Sequence, residues 1–157
     1  MVYEKNSEQN LNLLPENKSF YIKGENDINY YDVKTPTTTF FYNNAMKNGG
    51  QLQTTYTQNV GKNFNFAIEY MGLRSQGLYK NSLASSNNTV FSGRYLSKNG
   101  KYEAYAHYIH QNINNQESGG LADLDVFLSG DSRFSNRQNL ETNLTGAESR
   151  YSYRRYY

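Results

Sequence analysis

The chain has 157 residues, enough for one domain, and its 16 basic and 14 acidic residues leave a formal net charge of +2, which gives no case for a nucleic-acid partner. Only 36% of it is hydrophobic, a count that includes the 16 tyrosines, and a mean hydropathy of −0.89 excludes an ordinary aliphatic core, while 15% aromatic residues excludes a disordered tail. Cysteine is absent, which excludes disulfides and thiolate metal sites, and no apolar run reaches the roughly 18 residues of a transmembrane helix.

What remains is rich in residues that favour strands (Tyr, Phe, Thr) and turns (22 Asn, 12 Gly). Residues 1–17 read as a polar leader with LNLLP as their one apolar patch; Met1 is followed at once by polar residues, so no signal peptide is visible there. From Lys18 the strand pattern begins, and residues 18–157 are taken as one barrel-like segment. Candidate strands, about seven to nine, fall near 19–24, 28–34, 37–43, 51–58, 64–71, 89–97, 101–110, 122–128 and 150–157. Pro36 marks an edge or turn, ADLDVFL at 122–128 suits a short helix or a strand, and 130–149 is loop-like.

Two hairpins can be tested for consistency. QLQTTYTQNVGKNFNFAIEY carries two alternating runs around NVGKN. A five-residue loop at 59–63 pairs Gln58 with Phe64, Tyr56 with Phe66, Thr54 with Ile68 and Leu52 with Tyr70, so that one face is apolar and aromatic. A four-residue loop spoils the match. In SKNGKY (97–102) a type I′ turn centred on Asn99-Gly100 pairs Tyr95 with Ala104, Gly93 with Ala106 and Phe91 with Tyr108. Short turns then alternate with long polar connections at 72–88 and about 111–121, as in an up-and-down meander with all long loops at one end.

Strands of 8–11 residues suffice to span a bilayer when tilted (about 9–11 are typical), and an aromatic face opposite a polar one is the pattern of a transmembrane β-barrel. The expected fold is therefore all-β: an antiparallel up-and-down meander forming a partial barrel. Phe64, Phe66, Ile68, Tyr70, Phe91, Tyr95, Tyr102 and Tyr108 are expected to face lipid, and Arg94, Glu103, Glu69, His107, Gln53 and Asn65 to face the lumen. Pairing of Arg94, Glu103 and Glu69 across strands is the plainer alternative to a role in ion preference. His107 and His110, three apart, should point to opposite sides, so they make no shared metal site. Glu117, Asp123, Asp125 and Asp131 fit no ordered calcium loop, and LSGDS (128–132) is not a nucleophile elbow. No catalytic residue, metal or cofactor is expected. The closing YSYRRYY imitates a terminal barrel strand, with Arg155 interrupting the face that Tyr151, Tyr153 and Tyr157 share.

An ordered series of landmarks resembles the β-barrel porin family of Bacteroidetes-type Gram-negative bacteria: Thr-Pro-Thr-Thr at 35–38, Gln51, Thr-Gln-Asn at 57–59, Asn-Phe-Asn-Phe at 63–66, Gly77-Leu78-Tyr79 and ESGG at 117–120. The resemblance covers about residues 18–135. It implies an outer-membrane location, a pore-forming or uptake role for small solutes or ions, and no enzymatic chemistry. Family members are longer and start with a signal peptide, so the chain is expected to be an early barrel segment whose open edges meet further strands or another copy. The rival readings are a soluble β-sandwich acting as a carbohydrate-binding or adhesion module, and an outer-membrane enzyme, the latter disfavoured by the missing triad.

Overall fold

A computed structural model describes residues 22–45, 48–134 and 136–157, so the leader at 1–17 lies outside the described residues. Six strands, β1 (Thr37–Ala45), β2 (Gly49–Val60), β3 (Phe64–Ser75), β4 (Ala84–Leu96), β5 (Glu103–Gln116) and β6 (Glu148–Tyr156), form one antiparallel sheet in strict chain order. It is an up-and-down meander that does not close, and β1 and β6 are its free edges. With all six strands in a single layer, no second sheet lies on the aromatic face among the described residues, as a sandwich would require.

Of the expected strand near 19–24 only residues 22–24 are described, and neither they nor the expected strand near 28–34 are strands. Residues 22–36 make no ladder; they form an extended segment interrupted by a 3₁₀ turn at Glu25–Asp27, where the Asp27 carboxylate accepts the Gly24 amide at 2.8 Å. The alternation that suggested strand pairing serves here to dock the segment flat against the sheet, with Ile28 inward and Asn29 outward. ADLDVFL resolves as a five-residue helix, α1 (Leu124–Leu128), started by the Asp123 carboxylate, which accepts the amides of Asp125 and Val126. Among the described residues six strands stand where seven to nine were expected.

The β4–β5 register agrees with expectation: Tyr95 opposes Ala104, Gly93 opposes Ala106, and Phe91 opposes Tyr108. The turn itself differs. Only Gly100 adopts positive φ (66°), and Asn99 instead folds its side-chain oxygen back to accept from Ser97 Oγ and the Lys101 amide. The Gly100 amide bonds the Ser97 carbonyl at 2.9 Å, so the connection is a four-residue loop in place of a type I′ turn.

In the β2–β3 hairpin the register is shifted by two. Gln58 opposes Phe66, Tyr56 opposes Ile68, Thr54 opposes Tyr70 and Leu52 opposes Gly72, with a loop of only Gly61, Lys62 and Asn63. Loops of three and five residues have the same parity, so both put the aromatics on one face, and face matching alone could not separate them. The shorter loop lets Gly61 turn the chain at φ 68° and pairs Asn59 with Asn65, whose side chains bond at 2.5 Å.

Strands also run further than expected toward the other end. The connection 76–83 is shorter than the expected 72–88, and β5 continues to Gln116 through what had looked like loop. The two long connections, 76–83 and 117–147, pack on each other: Asn81 Nδ2 donates to Thr142 Oγ1 and the Leu144 carbonyl, Gln138 Nε2 donates to the Gly77 and Tyr79 carbonyls, and Leu140 is buried. The 61–63 and 97–102 turns lie at the opposite end, while the brief 46–48 connection shares the long-loop end.

Candidate functional site: the two faces of the sheet

Register assigns each side chain to a face. On the first face lie Phe40 and Tyr42 (β1), Leu52 and Tyr56 (β2), Phe64, Phe66, Ile68 and Tyr70 (β3), Phe91 and Tyr95 (β4), Tyr108 (β5) and Tyr156 (β6). Among the described residues nothing packs over it: Phe64, Ile68, Phe91 and Tyr95 remain 41%, 37%, 44% and 42% exposed, far more than a core tolerates. Tyr102, also expected on this face, sits in the 97–102 loop and is exposed. Polar groups inside the band satisfy one another, as where the Tyr56 hydroxyl donates to Gln58 Oε1 at 2.5 Å.

Charge divides this face sharply. From Val60, Phe64 and Tyr95 at the tight-turn end through the row Tyr56, Ile68, Phe91, Tyr108 and Tyr156, no residue is charged. Every ionic side chain on it, Arg74, Glu148, Arg150 and Arg154, lies nearer the long loops. The boundary also slants. The last apolar or aromatic residue before the polar end is Tyr42 on β1 and Leu52 on β2, Tyr70 on β3, then Phe91, Tyr108 and Tyr156 on β4, β5 and β6. In register that is a drift of four residues across five strand spacings, about 13 Å along the strands against about 24 Å across them, or a slope of roughly 30°. If the boundary is level, the strands lean by that amount, close to the roughly 35–45° of transmembrane barrels.

The second face carries all six residues expected toward a lumen: Gln53, Asn65, Glu69, Arg94, Glu103 and His107. The structure brings most of them under the extended segment 22–36, which crosses the face from β6 and β5 to β2 as a strap. Its anchors are specific. The Glu69 carboxylate accepts from Lys23 Nζ at 3.2 Å on one oxygen and from the Tyr31 hydroxyl at 2.9 Å on the other. Arg94 bridges Asp32 at 3.0 Å and Glu103 at 2.6 Å, joining strap to wall and realising the cross-strand pairing alternative. Tyr30 OH lies 2.7 Å from His107 Nδ1, and its ring tilts against Tyr105. The Lys23 amide donates to Gln111 Oε1, Ser92 Oγ donates to the Asn29 carbonyl, and Arg155 reaches Glu25. Beneath the strap Ile28 meets Val90 and Ile109, which are 1% and 0% exposed, with Tyr30 and Tyr153 packed alongside. Gln53 lies outside the covered area and stays exposed.

The strap's electrostatics follow from this packing. Burial first, then the hydrogen bond to Glu69, pushes the Tyr31 hydroxyl up to about 12. The Asn59 amide and then the Arg94 guanidinium hold the Asp32 carboxyl below its ordinary value. Sequence reasoning missed the strap residues Lys23, Tyr30, Tyr31 and Asp32, and treated Arg155 as a flaw in a terminal strand; the mixture of aromatic and charged residues in INYYDV was the available signal. His107 and His110 do face opposite ways: His107 is buried and stacks on Tyr157, whereas His110 opposes Arg154 on the first face. Among the described residues no group of acidic or histidine side chains could hold a metal ion; Asp123 caps α1 and Asp131 pairs with Arg133.

A one-layer antiparallel meander, apolar on one face and polar on the other, is consistent with a partial β-barrel. The chain belongs to the porin family described as "Putative porin", which matches residues 1–157. Porin membership points to a channel-type protein. No curated protein and no solved structure matched.

Proposed function

We propose that this chain is wall and internal strap of an outer-membrane β-barrel through which small solutes or ions pass passively. The bare face would meet lipid, the strapped face would line the lumen, and the edges of β1 and β6 would pair with further strands, from this chain or another copy. The observation that carries the reading is the charge partition. On β1 to β5 one face has an uncharged zone several residues deep, which β6 continues with Tyr156, whereas the other face holds Arg94 and Glu69 within that depth and Glu103 and Arg155 at its margins. Water on both sides gives no reason for that asymmetry; hydrocarbon on one side does. The strap would narrow the lumen at mid-height, and Arg94, half-buried beside it, would be the cation best placed to bias ion passage.

Planar-bilayer recordings test this. Arg94→Glu should shift the reversal potential toward cation preference while detergent extraction and heat-dependent gel migration stay as in the parent. An unchanged reversal potential removes Arg94 from the pathway. A protein that stays in buffer without detergent removes the membrane reading itself.

A further inference from the structure

The polar end of the bare face has a chemistry of its own, and the inference below rests on the membrane reading just given. Around β4–β6 the register stacks three rows. Phe91, Tyr108 and Tyr156 form an aromatic ladder, with centroids 6.2 Å apart for the first pair and 4.8 Å for the second. Directly above it toward the long loops, His110 lies opposite Arg154. Above those come Asn87, Asn112 and Ser152, with Asn112 Nδ2 3.2 Å from His110 Nε2. On β3 the same order repeats as Tyr70 and then Arg74, and the Tyr70 hydroxyl donates upward to Asn87 Oδ1.

The one acid on this face is Glu148, and it is paired with Arg150. Arg74 and Arg154 are exposed and have no acidic partner among the described residues. Their height matters. Arg154 is two residues beyond the last aromatic on its strand and Arg74 four beyond Tyr70, so at about 3.3 Å per residue they stand roughly 7 and 13 Å past the apolar zone. A head-group layer occupies about 5–8 Å per leaflet outside the hydrocarbon, within reach of a flexible guanidinium from both positions. Guanidinium and amide donors above a ring ladder suit a group with an acyl chain below and an anionic phosphate above.

We infer that this collar binds phosphate-bearing anionic lipid in the leaflet on the long-loop side, with Arg154, His110 and Asn112 holding the phosphate, Tyr108 and Tyr156 the upper acyl chain, and Arg74 a second head group. On the strands of the bare face the arginines all lie at this end.

The test is lipid retention by the detergent-purified full protein after exposure to nanodisc lipid of equal phosphatidylglycerol and phosphatidylcholine, read by mass spectrometry. The parent should retain phosphatidylglycerol preferentially. Arg154→Gln should cut that preference about fivefold, Arg154→Lys should largely keep it, and adding Arg74→Gln should reduce it about fivefold again. Equal retention of the two lipids by the parent overturns the proposal while leaving the barrel reading intact, because lipid is still bound. Displacement of phosphatidylglycerol by inorganic phosphate alone shows a simple anion site and also overturns it. Failure to retain any lipid overturns both.

Discussion

The two faces of this sheet are built from alternate residues of the same six strands, yet they end up covered by opposite means. One hides its aliphatic centre, Val90 and Ile109, under a strap drawn from the same chain. The other leaves Phe64, Ile68, Phe91 and Tyr95 touching only their neighbours in the sheet, with no described segment laid over them. What this teaches is that the polar face is the packed one. Thr57, Asn65, Glu69, Asn88, Ser92, His107 and Gln111 are all buried on it, most of them satisfied by one another or by the strap. The apolar face is finished by whatever surrounds the molecule, and hydrocarbon is the medium that can finish it without hydrogen bonds.

The sharpest way to break this comparison is to put the same cation on each face. Ile68→Lys should cost about 2–4 kcal/mol of folded stability in vesicles, as a cation does at mid-depth on a lipid face, whereas Gln53→Lys should change it little. Urea titrations of the vesicle-inserted protein measure both; equal losses would mean that the faces do not differ in environment.

A smaller effect is expected beneath the strap. Ile28→Ala empties the centre of the three-residue cluster, and should loosen the strap by about 2 kcal/mol, roughly thirtyfold in its opening, without touching the ladder. Hydrogen exchange should speed up in residues 22–33 and hold steady in β3–β5. Faster exchange throughout the sheet would make the strap part of one cooperative core instead of a separable layer.

The smallest effect is a dependence of strap protection on pH. The raised Tyr31 hydroxyl contributes fully below its ordinary value of 10.0, and that contribution is lost as pH rises toward about 12. The depressed Asp32 carboxyl works the other way: its contribution is present above the ordinary 3.8 and is lost as pH falls through its lowered value. Strap protection should therefore decline toward both limits, and Tyr31→Phe should shrink the alkaline decline, leaving the part that belongs to Tyr30, whose hydroxyl burial also raises. An alkaline decline undiminished in Tyr31→Phe would assign it to another group.

Much of the wall was legible. The two-residue alternation in TTYTQNV, NFNFAIEY and GRYL named the strands, and it put Gln53, Asn65, Glu69, Arg94, Glu103 and His107 on one face, where they stand. The strap was less legible because SFYIKG and INYYDV alternate in the same way. An extended segment can satisfy that pattern by pairing at an edge or by lying on a face, and the difference is made by Glu69, Arg94, His107 and Gln111, between 38 and 88 residues away along the chain.

Composition and alternation by themselves determined that this chain makes antiparallel strands with an aromatic side and a polar side, because side-chain direction in a strand repeats every two residues whatever the surroundings. Only the tertiary structure decided the two-residue slide between β2 and β3, the count of six strands, the mutual packing of the long loops and the laying of residues 22–36 across the polar face. Those depend on contacts between distant segments and on loop closure, and a slide of two residues leaves the local pattern unchanged.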